Sequence, residues 1–302
     1  MTDTNWTPAN IPDLTGRIAI VTGANSGIGF ETAAALARKG VAVIMACRNL
    51  QKAQPAASQI RRSNPPGPLD VIRLDLGDLE SVRQFVAEFR ARYDRLDLLI
   101  NNAGIMHPPF EQTTQGFESQ FGVNHLGHFA LTGQLLDLLM QTPGSRVVTV
   151  SSVAHRMGRI NFADLNWEKR YLAWLAYGQS KLANLLFAYE LQRRLTAVGS
   201  GILSVAAHPG WTATNLQAQS ALSMFFNPII GQKPPMGALP TLYAATADGV
   251  QGGEYFGPDG FFELRGYPKR VASNARSHDE SVAARLWQVS VDLTGVNYEE
   301  LL

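Results

Sequence analysis

Six short apolar runs, rich in β-branched residues, recur along this chain with helical stretches between them. The runs are Arg17–Thr22, Val41–Ala46, Asp70–Leu74, Leu96–Ile100, Arg146–Val150 and Ile202–Ala206. They are apolar throughout rather than alternating, which predicts strands buried on both faces. Gly27–Lys39 is Ala-rich and stopped by Gly40, and Asn49–Ser63 suits a helix in spite of Pro55. Val82, Phe85, Val86 and Phe89 fall at i, i+3, i+4 and i+7. Helical spacing returns through Leu131, Leu135 and Leu138, and again from Ala173 to Leu195. Such alternation predicts an α/β fold, a doubly wound parallel sheet with helices on both faces.

No repeat, linker or composition break interrupts the pattern, so one domain is expected, its core spanning about residues 14–215. From 215 to 237 the pattern loosens into a mixture of Met, Phe, Pro and Gly, a lid-like segment that includes Leu222, Met224, Phe225, Phe226 and Ile229. Residues 252–302 form a tail. In it, Ser277–Glu280 resembles a capping box, with Val282, Leu286, Val289 and Leu293 expected on the buried helix face.

Between the first strand and the first helix lies Thr22-Gly-Ala-Asn-Ser-Gly-Ile-Gly29. Glycines there let a backbone approach a phosphate, and the helix N-terminus offers unpaired N–H groups and a positive dipole end. A bare glycine pattern is usually only a tight turn. The strand before it and the helix after it point instead to a Rossmann-like dinucleotide site. An acidic residue ending the second strand would accept the ribose 2′-hydroxyl of NAD. Here Cys47 is followed by Arg48, which suits the 2′-phosphate of NADP(H); otherwise Arg48 is a solvated surface charge.

Composition removes other classes. The formal net charge of +1, with acids and bases interspersed, gives no electrostatic case for nucleic acid. Met1–Thr15 has no apolar signal core, and no run approaches the roughly 18 apolar residues that span a bilayer, so no membrane anchor is expected. Cys47 stands alone, which fits a cytoplasmic location. His125 and His128 are three apart on one helix, but no third ligand with metal spacing follows; they are expected to be hydrogen-bonded structural residues, with no metal.

Tyr177 and Lys181 are four apart on the helix beginning at Ala173, so phenol and amine share a face. A phenol with pKa near ~10 is a poor base at neutral pH, and a neighbouring ammonium favours its ionised form. Such a pair exchanges protons with an alcohol or carbonyl oxygen. Alone the spacing is weak, since many solvated helices carry it.

Taken together, these motifs resemble the short-chain dehydrogenase/reductase family. The likeness runs from about Arg17 to Gly210: the glycine loop, Asp75, Asn101-Asn-Ala-Gly104, Asn124, Ser151-Ser152, Tyr177 with Lys181, and His208-Pro-Gly210, in the family's order. The stretches ACRN, NNAGIM, GVNHLGHF, SSVAH and YGQSKLANLLF are similar to retinol-dehydrogenase-like members and their bacterial relatives. The resemblance implies an NADP(H)-dependent oxidoreductase that interconverts an alcohol and a carbonyl on a lipophilic small molecule. Tyr177 would be the general acid or base, and Lys181 would lower its pKa and hold the nicotinamide ribose. Ser152, preferred to Ser151, would hold the substrate oxygen; Asn124 would hold a water. Cofactor contacts would come from Gly23, Asn25, Ser26, Gly27, Ile28, Gly29, Arg48, Asp75, Leu76, Asn102, Ala103, Gly104, Pro209, Gly210, Thr212 and Thr214, besides Tyr177 and Lys181. Helices around 123–140 and 173–195 often pair between subunits in this family, so a homo-oligomer is possible.

Two departures stand out. The Ser152–Tyr177 gap is long, holding Met157, Phe162, Trp167, Tyr171 and Trp174, which are expected mainly to pack. Trp211 and Thr212 stand where smaller and aliphatic residues are usual. His107, just past the Asn101–Gly104 turn, either borders the pocket or sits on a surface loop. A non-catalytic NADP(H) sensor or scaffold is the alternative function, but it has no need of Ser152, Asn124, Tyr177 and Lys181 together. Nucleotide-sugar epimerase or dehydratase chemistry fits the glycine spacing poorly and lacks a separate substrate domain.

Overall fold

The structure is a computed structural model and describes residues 5–212 and 231–301. Strands β1 (Ile18–Thr22), β2 (Ala42–Cys47), β3 (Leu69–Arg73), β4 (Leu98–Asn101), β5 (Arg146–Val150) and β6 (Leu203–Ala207) match the six apolar runs within two residues at each end. Helices α1 (Gly27–Ala37), α2 (Leu50–Arg61) and α3 (Leu79–Arg90) separate the first four. The next stretch holds α4 (Ser119–Phe121), a π-helical turn over Gly122–Leu126, α5 (Gly127–Gln134) and α6 (Leu136–Gln141). Then come α7 (Ala173–Ala197), α8 (Pro234–Gly237), α9 (Leu239–Thr246) and α10 (Glu280–Thr294).

The sheet has the order β3-β2-β1-β4-β5-β6-β7-β8. Its first seven strands pair in parallel, and β8 (Pro268–Arg270) runs antiparallel to β7 (Tyr255–Pro258). The expected doubly wound α/β fold is present. The tail adds two strands to its edge that six apolar runs did not announce, because β7 contains Gly257 and Pro258 and β8 reads Pro-Lys-Arg. Both faces of the sheet are buried. Along β1, Ile20 joins the core beneath α3, α5, α7 and α10, while Ala19 and Val21 join the core beneath α1, α2 and α9. That is why the strands show no polar alternation.

Helices follow local chemistry. Asn49 caps α2 by accepting from Lys52 N, and Asp78 caps α3 by accepting from Glu80 N. Val82, Phe85, Val86 and Phe89 are all buried, each removal from water stabilising the fold by about 1.5–3 kcal/mol. The C-terminal helix differs from expectation. Asp279 caps α10 by accepting from Val282 N, and Ser277 belongs to a preceding 3-10 turn. The buried face is Ala283, Leu286, Trp287, Ser290 and Thr294, about a quarter turn from the predicted stripe. Two polar residues sit inward because they have partners: Ser290 Oγ meets His125 Nε2 at 2.9 Å, and Thr294 Oγ1 donates to Ser290 O. An apolar template misses a face built this way. Among the described residues no helix is long and apolar enough to cross a membrane.

The strand order reverses between β1 and β4, and in such sheets the crevice beyond the carboxyl ends at that point receives ligands.

Candidate active site

At that crevice a cavity of about 260 Å³ opens. Gly23, Asn25, Ser26, Gly27, Ile28 and Gly29 line it from the first loop, Arg48 from the end of β2, and Asp75 and Leu76 from beyond β3. Asn102, Ala103 and Gly104 line it after β4, with Tyr177 and Lys181 on α7 and Pro209 after β6. Ala46, Leu74, Ile105, Val123, Val150 and Ser151 complete the wall; these were not singled out in the sequence, being apolar or, for Ser151, set aside.

Close approach explains the glycines. A Cβ on Gly29 would stand 2.6 Å from both Gly23 O and Asn102 Nδ2, and Gly23 has a left-handed φ of 68°. Asn102 locks the loop to β4: its N–H donates to Thr22 Oγ1 at 2.9 Å and its Nδ2 to Thr22 O at 2.7 Å. Ser26 caps α1 without a side-chain hydrogen bond, leaving the helix N–H groups to whatever enters the cavity. Arg48 is exposed and has no ion pair among the described residues. A glycine cradle and an open helix N-terminus fit the pyrophosphate of a dinucleotide.

Not every expected cofactor residue reaches the cavity. Thr212 is buried and donates to Pro209 O at 2.8 Å; Gly210, at φ 64°, is pressed beneath Leu264 O. Both shape the segment after β6 without lining the cavity. Thr214 lies outside the described residues, as do the five apolar residues named for the lid.

Around the phenol, Ser151 and Ser152 separate by role. Ser151 Oγ donates to Lys181 O at 2.8 Å, which ties β5 to α7. Ser152 hydrogen-bonds the Tyr177 side chain and N-caps the 3-10 turn Val153–Met157. Lys181 Nζ donates to Val150 O at 3.2 Å and lies 5.6 Å from the Tyr177 ring centroid. The electrostatics depart from the expectation that Lys181 lowers the phenol pKa. Burial pushes Tyr177 up to about 12, with Ser152 pulling the other way, and burial pushes Lys181 down to about 8. Local spacing revealed the neighbour but not the desolvation that outweighs it.

Asn124 sits in the π-helical turn, where Gly127 N–H bonds back to Gly122 O. Such turns are frequent at functional sites. Its Oδ1 accepts from Ile105 N at 2.8 Å, and its Nδ2 donates to Ile105 O and Ser180 Oγ, each at 3.0 Å. A Cβ on Gly104 would lie 3.1 Å from Asn124 Oδ1 and 3.5 Å from Lys181 Nζ, so this glycine lets the two groups converge. His128 braces the turn, Nδ1 on Asn124 O at 3.0 Å and Nε2 on Thr22 Oγ1 at 2.9 Å. Both His125 and His128 are buried and hydrogen-bonded, and burial holds them at about 3 and about 4, hence neutral. No metal-binding cluster occurs among the described residues.

The inserted segment packs in part: Phe162 lies against the core, whereas Met157 and Trp174 are about half exposed. Trp211 N–H donates to Leu264 O at 2.7 Å, joining the segment after β6 to the turn before β8.

This fold and this set of side chains define a dinucleotide-dependent oxidoreductase, and the chain belongs to the short-chain dehydrogenase/reductase family. The short chain dehydrogenase model matches residues 17–223. Mouse (Mus musculus) retinol dehydrogenase 12 is 42% identical over 290 residues, 94% of this chain and 88% of that protein. An uncharacterized protein from Mycobacterium paratuberculosis is 48% identical, with a TM-score of 0.83 over 98% of this chain and 99% of that one. RhlG of Pseudomonas aeruginosa, solved as an active-site complex with NADP, is 25% identical, with a TM-score of 0.67 over 83% of this chain and 98% of that one.

Proposed function

We propose that the protein is an NADP(H)-dependent oxidoreductase that interconverts a lipophilic alcohol and its carbonyl. The observation that carries this reading is the Tyr177–Lys181 pair on the wall of a glycine-cradled cavity, with Ser152 hydrogen-bonded to Tyr177 and Arg48 free of an ion pair among the described residues. The retinol dehydrogenase relatives and the NADP complex of RhlG support the substrate type and the cofactor.

When bound, NADP(H) supplies or accepts the hydride. Gly23 and Asn25–Gly29 hold its pyrophosphate, Arg48 its 2′-phosphate, and Asp75 and Leu76 border the adenine. Asn102, Ala103 and Gly104 lie along it, and Lys181 holds the nicotinamide ribose hydroxyls. Pro209, Gly210 and Thr212 would shape the carboxamide end. Ser152 donates a hydrogen bond to the substrate oxygen, stabilising the charge that develops there. Tyr177, protonated at neutral pH because burial raises its pKa, gives its proton to that oxygen in reduction. In oxidation it takes the proton back. The charged Lys181 and the Ser152 hydroxyl then favour the phenolate. Asn124, fixed by Ile105 and Ser180, keeps the backbone beside Lys181 in place and holds the water that returns protons to solvent.

Fluorescence titration tests the cofactor assignment. NADPH is expected to bind at least tenfold more tightly than NADH, with Arg48→Ala removing the difference, since a charge-assisted phosphate contact is worth about 1.5–3 kcal/mol. Equal affinity in the wild type would overturn it. Tyr177→Phe is expected to abolish turnover on a carbonyl panel and leave NADPH binding intact. Wild-type protein that binds NADPH but turns over no carbonyl would favour the sensor reading instead.

A further inference from the structure

Beside Tyr177 lies a histidine that the proposed chemistry does not use. The His107 ring stands edge-on to the Tyr177 ring, centroids 5.2 Å apart, and packs on Trp174 at 3.9 Å. Its backbone is left-handed, with φ 55°, a conformation uncommon outside glycine and one that collects at functional sites. Buried Gln120 holds it there. Its Oε1 accepts from His107 N at 2.9 Å, while its Nε2 donates to Tyr171 Oη at 2.9 Å and Ala173 O at 3.0 Å. One amide thus sets the His107 loop, the inserted segment and the start of α7 in a single frame.

Within that frame His107 Nε2 is buried and has no hydrogen-bond partner among the described residues. Burial lowers the imidazole pKa to about 4, so at neutral pH the ring is uncharged and offers one donor and one acceptor. Buried polar atoms are rarely left unmatched, and one beside the catalytic phenol invites a ligand atom. Trp174, which packs on the imidazole, is 48% exposed and has solvent into which to turn. Leu172 and Phe110 are also exposed, giving an apolar approach.

Resting on the oxidoreductase reading, we propose that His107 selects the substrate. Its Nε2 forms a hydrogen bond with a second oxygen function of an uncharged carbonyl compound, whose flat apolar body displaces Trp174 from the imidazole and stacks in its place. A subsite built around one hydrogen bond discriminates strongly against an analogue that lacks the partner atom.

A matched pair of ketones tests this: 1-phenyl-1,2-propanedione, and propiophenone, which lacks the second carbonyl. Two ratios are read, kcat/KM with NADPH and Kd by calorimetry in the NADP complex. Wild type is expected to favour the diketone by about tenfold or more in both. His107→Phe, which keeps a ring on Trp174 without the nitrogen, is expected to bring the Kd ratio near one and to lower the kcat/KM ratio by the same factor, leaving only the greater intrinsic reactivity of an α-diketone. His107→Gln restores part of the preference. If the phenylalanine is not tolerated at this φ, His107→Asn accepts the conformation and is too short to reach. A wild type without a binding preference, or a binding preference that survives loss of the imidazole, overturns the inference. If neither ketone is reduced, the Kd ratio still decides. A His107-dependent binding preference then keeps the subsite, and the failure falls on the proposed turnover of these carbonyls alone.

Discussion

Lys181 has its ammonium in a buried position with the Val150 carbonyl as acceptor, and the cost appears in its pKa. The folded value, about 8, lies below the ordinary 10.5. Between those pH values the unfolded chain binds more protons, so this group makes stability rise with pH; below pH 8 the whole penalty applies. Lys181→Met is therefore expected to stabilise the cofactor-free protein at pH 7, by on the order of 3 kcal/mol before the lost hydrogen bond is counted. That advantage should shrink between pH 8 and 10.5. Urea unfolding of wild type and variant at pH 7 and pH 10 measures it, and an advantage that does not change with pH would refute the account. Turnover should be lost at both pH values. The sequence made the residue types and their order legible, because the chemistry needs Tyr, Lys, Ser and Asn in specific places. It did not reveal the pKa directions, which depend on how much protein closes over each group. Nor did it reveal Gln120 or the His107–Trp174 pair, whose members meet only across the fold.

The elements carrying these residues meet through small side chains. Gly158, at the end of the turn capped by Ser152, faces Gly178 on α7, and a Cβ on Gly158 would stand 2.3 Å from Gly178 O. That atom is backbone within a helix and has little freedom to yield. Gly158→Ala is expected to cost about 1–3 kcal/mol in urea unfolding. It should also lower kcat more than NADPH affinity, because it moves the Ser152 turn relative to Tyr177 while the glycine loop stays in place. Unchanged kcat in a folded variant would show that the two elements are not held in register by this contact. Strands buried on both faces and helices with strong apolar stripes were readable from the sequence. The strand pair β7–β8 and the buried face of α10 were not, since Gly257, Pro258, Ser290 and Thr294 earn their positions through backbone pairing and hydrogen bonds rather than hydrophobicity.

At the scale of the whole molecule, α10 bears on the oligomeric state. The family resemblance raised pairing through helices around 123–140 and 173–195. Here those helices are covered from within the chain. Trp287 packs on Phe129 of α5 at 5.1 Å and on Phe187 of α7 at 5.9 Å, and the Arg194 guanidinium lies 4.5 Å over its ring. Tyr298 extends the cover, its ring tilted against Trp287 at 4.6 Å and its hydroxyl donating to Phe129 O at 2.7 Å. Of α7, every residue from Ala176 to Leu191 is buried within the single chain. A second copy could use that face only by displacing α10, exposing Trp287 and leaving His125 Nε2 without Ser290; each loss is of a size that destabilises a domain substantially. The chain is therefore expected to be monomeric, and sedimentation equilibrium at micromolar concentration should return 32.9 kDa. A dimer mass would leave two explanations, pairing through another face or release of α10. In a variant whose other four tryptophans are replaced by phenylalanine, Trp287 emission separates them: release moves a buried indole into water and shifts its spectrum to the red on association, whereas a different interface leaves that tryptophan's environment as it is in the monomer.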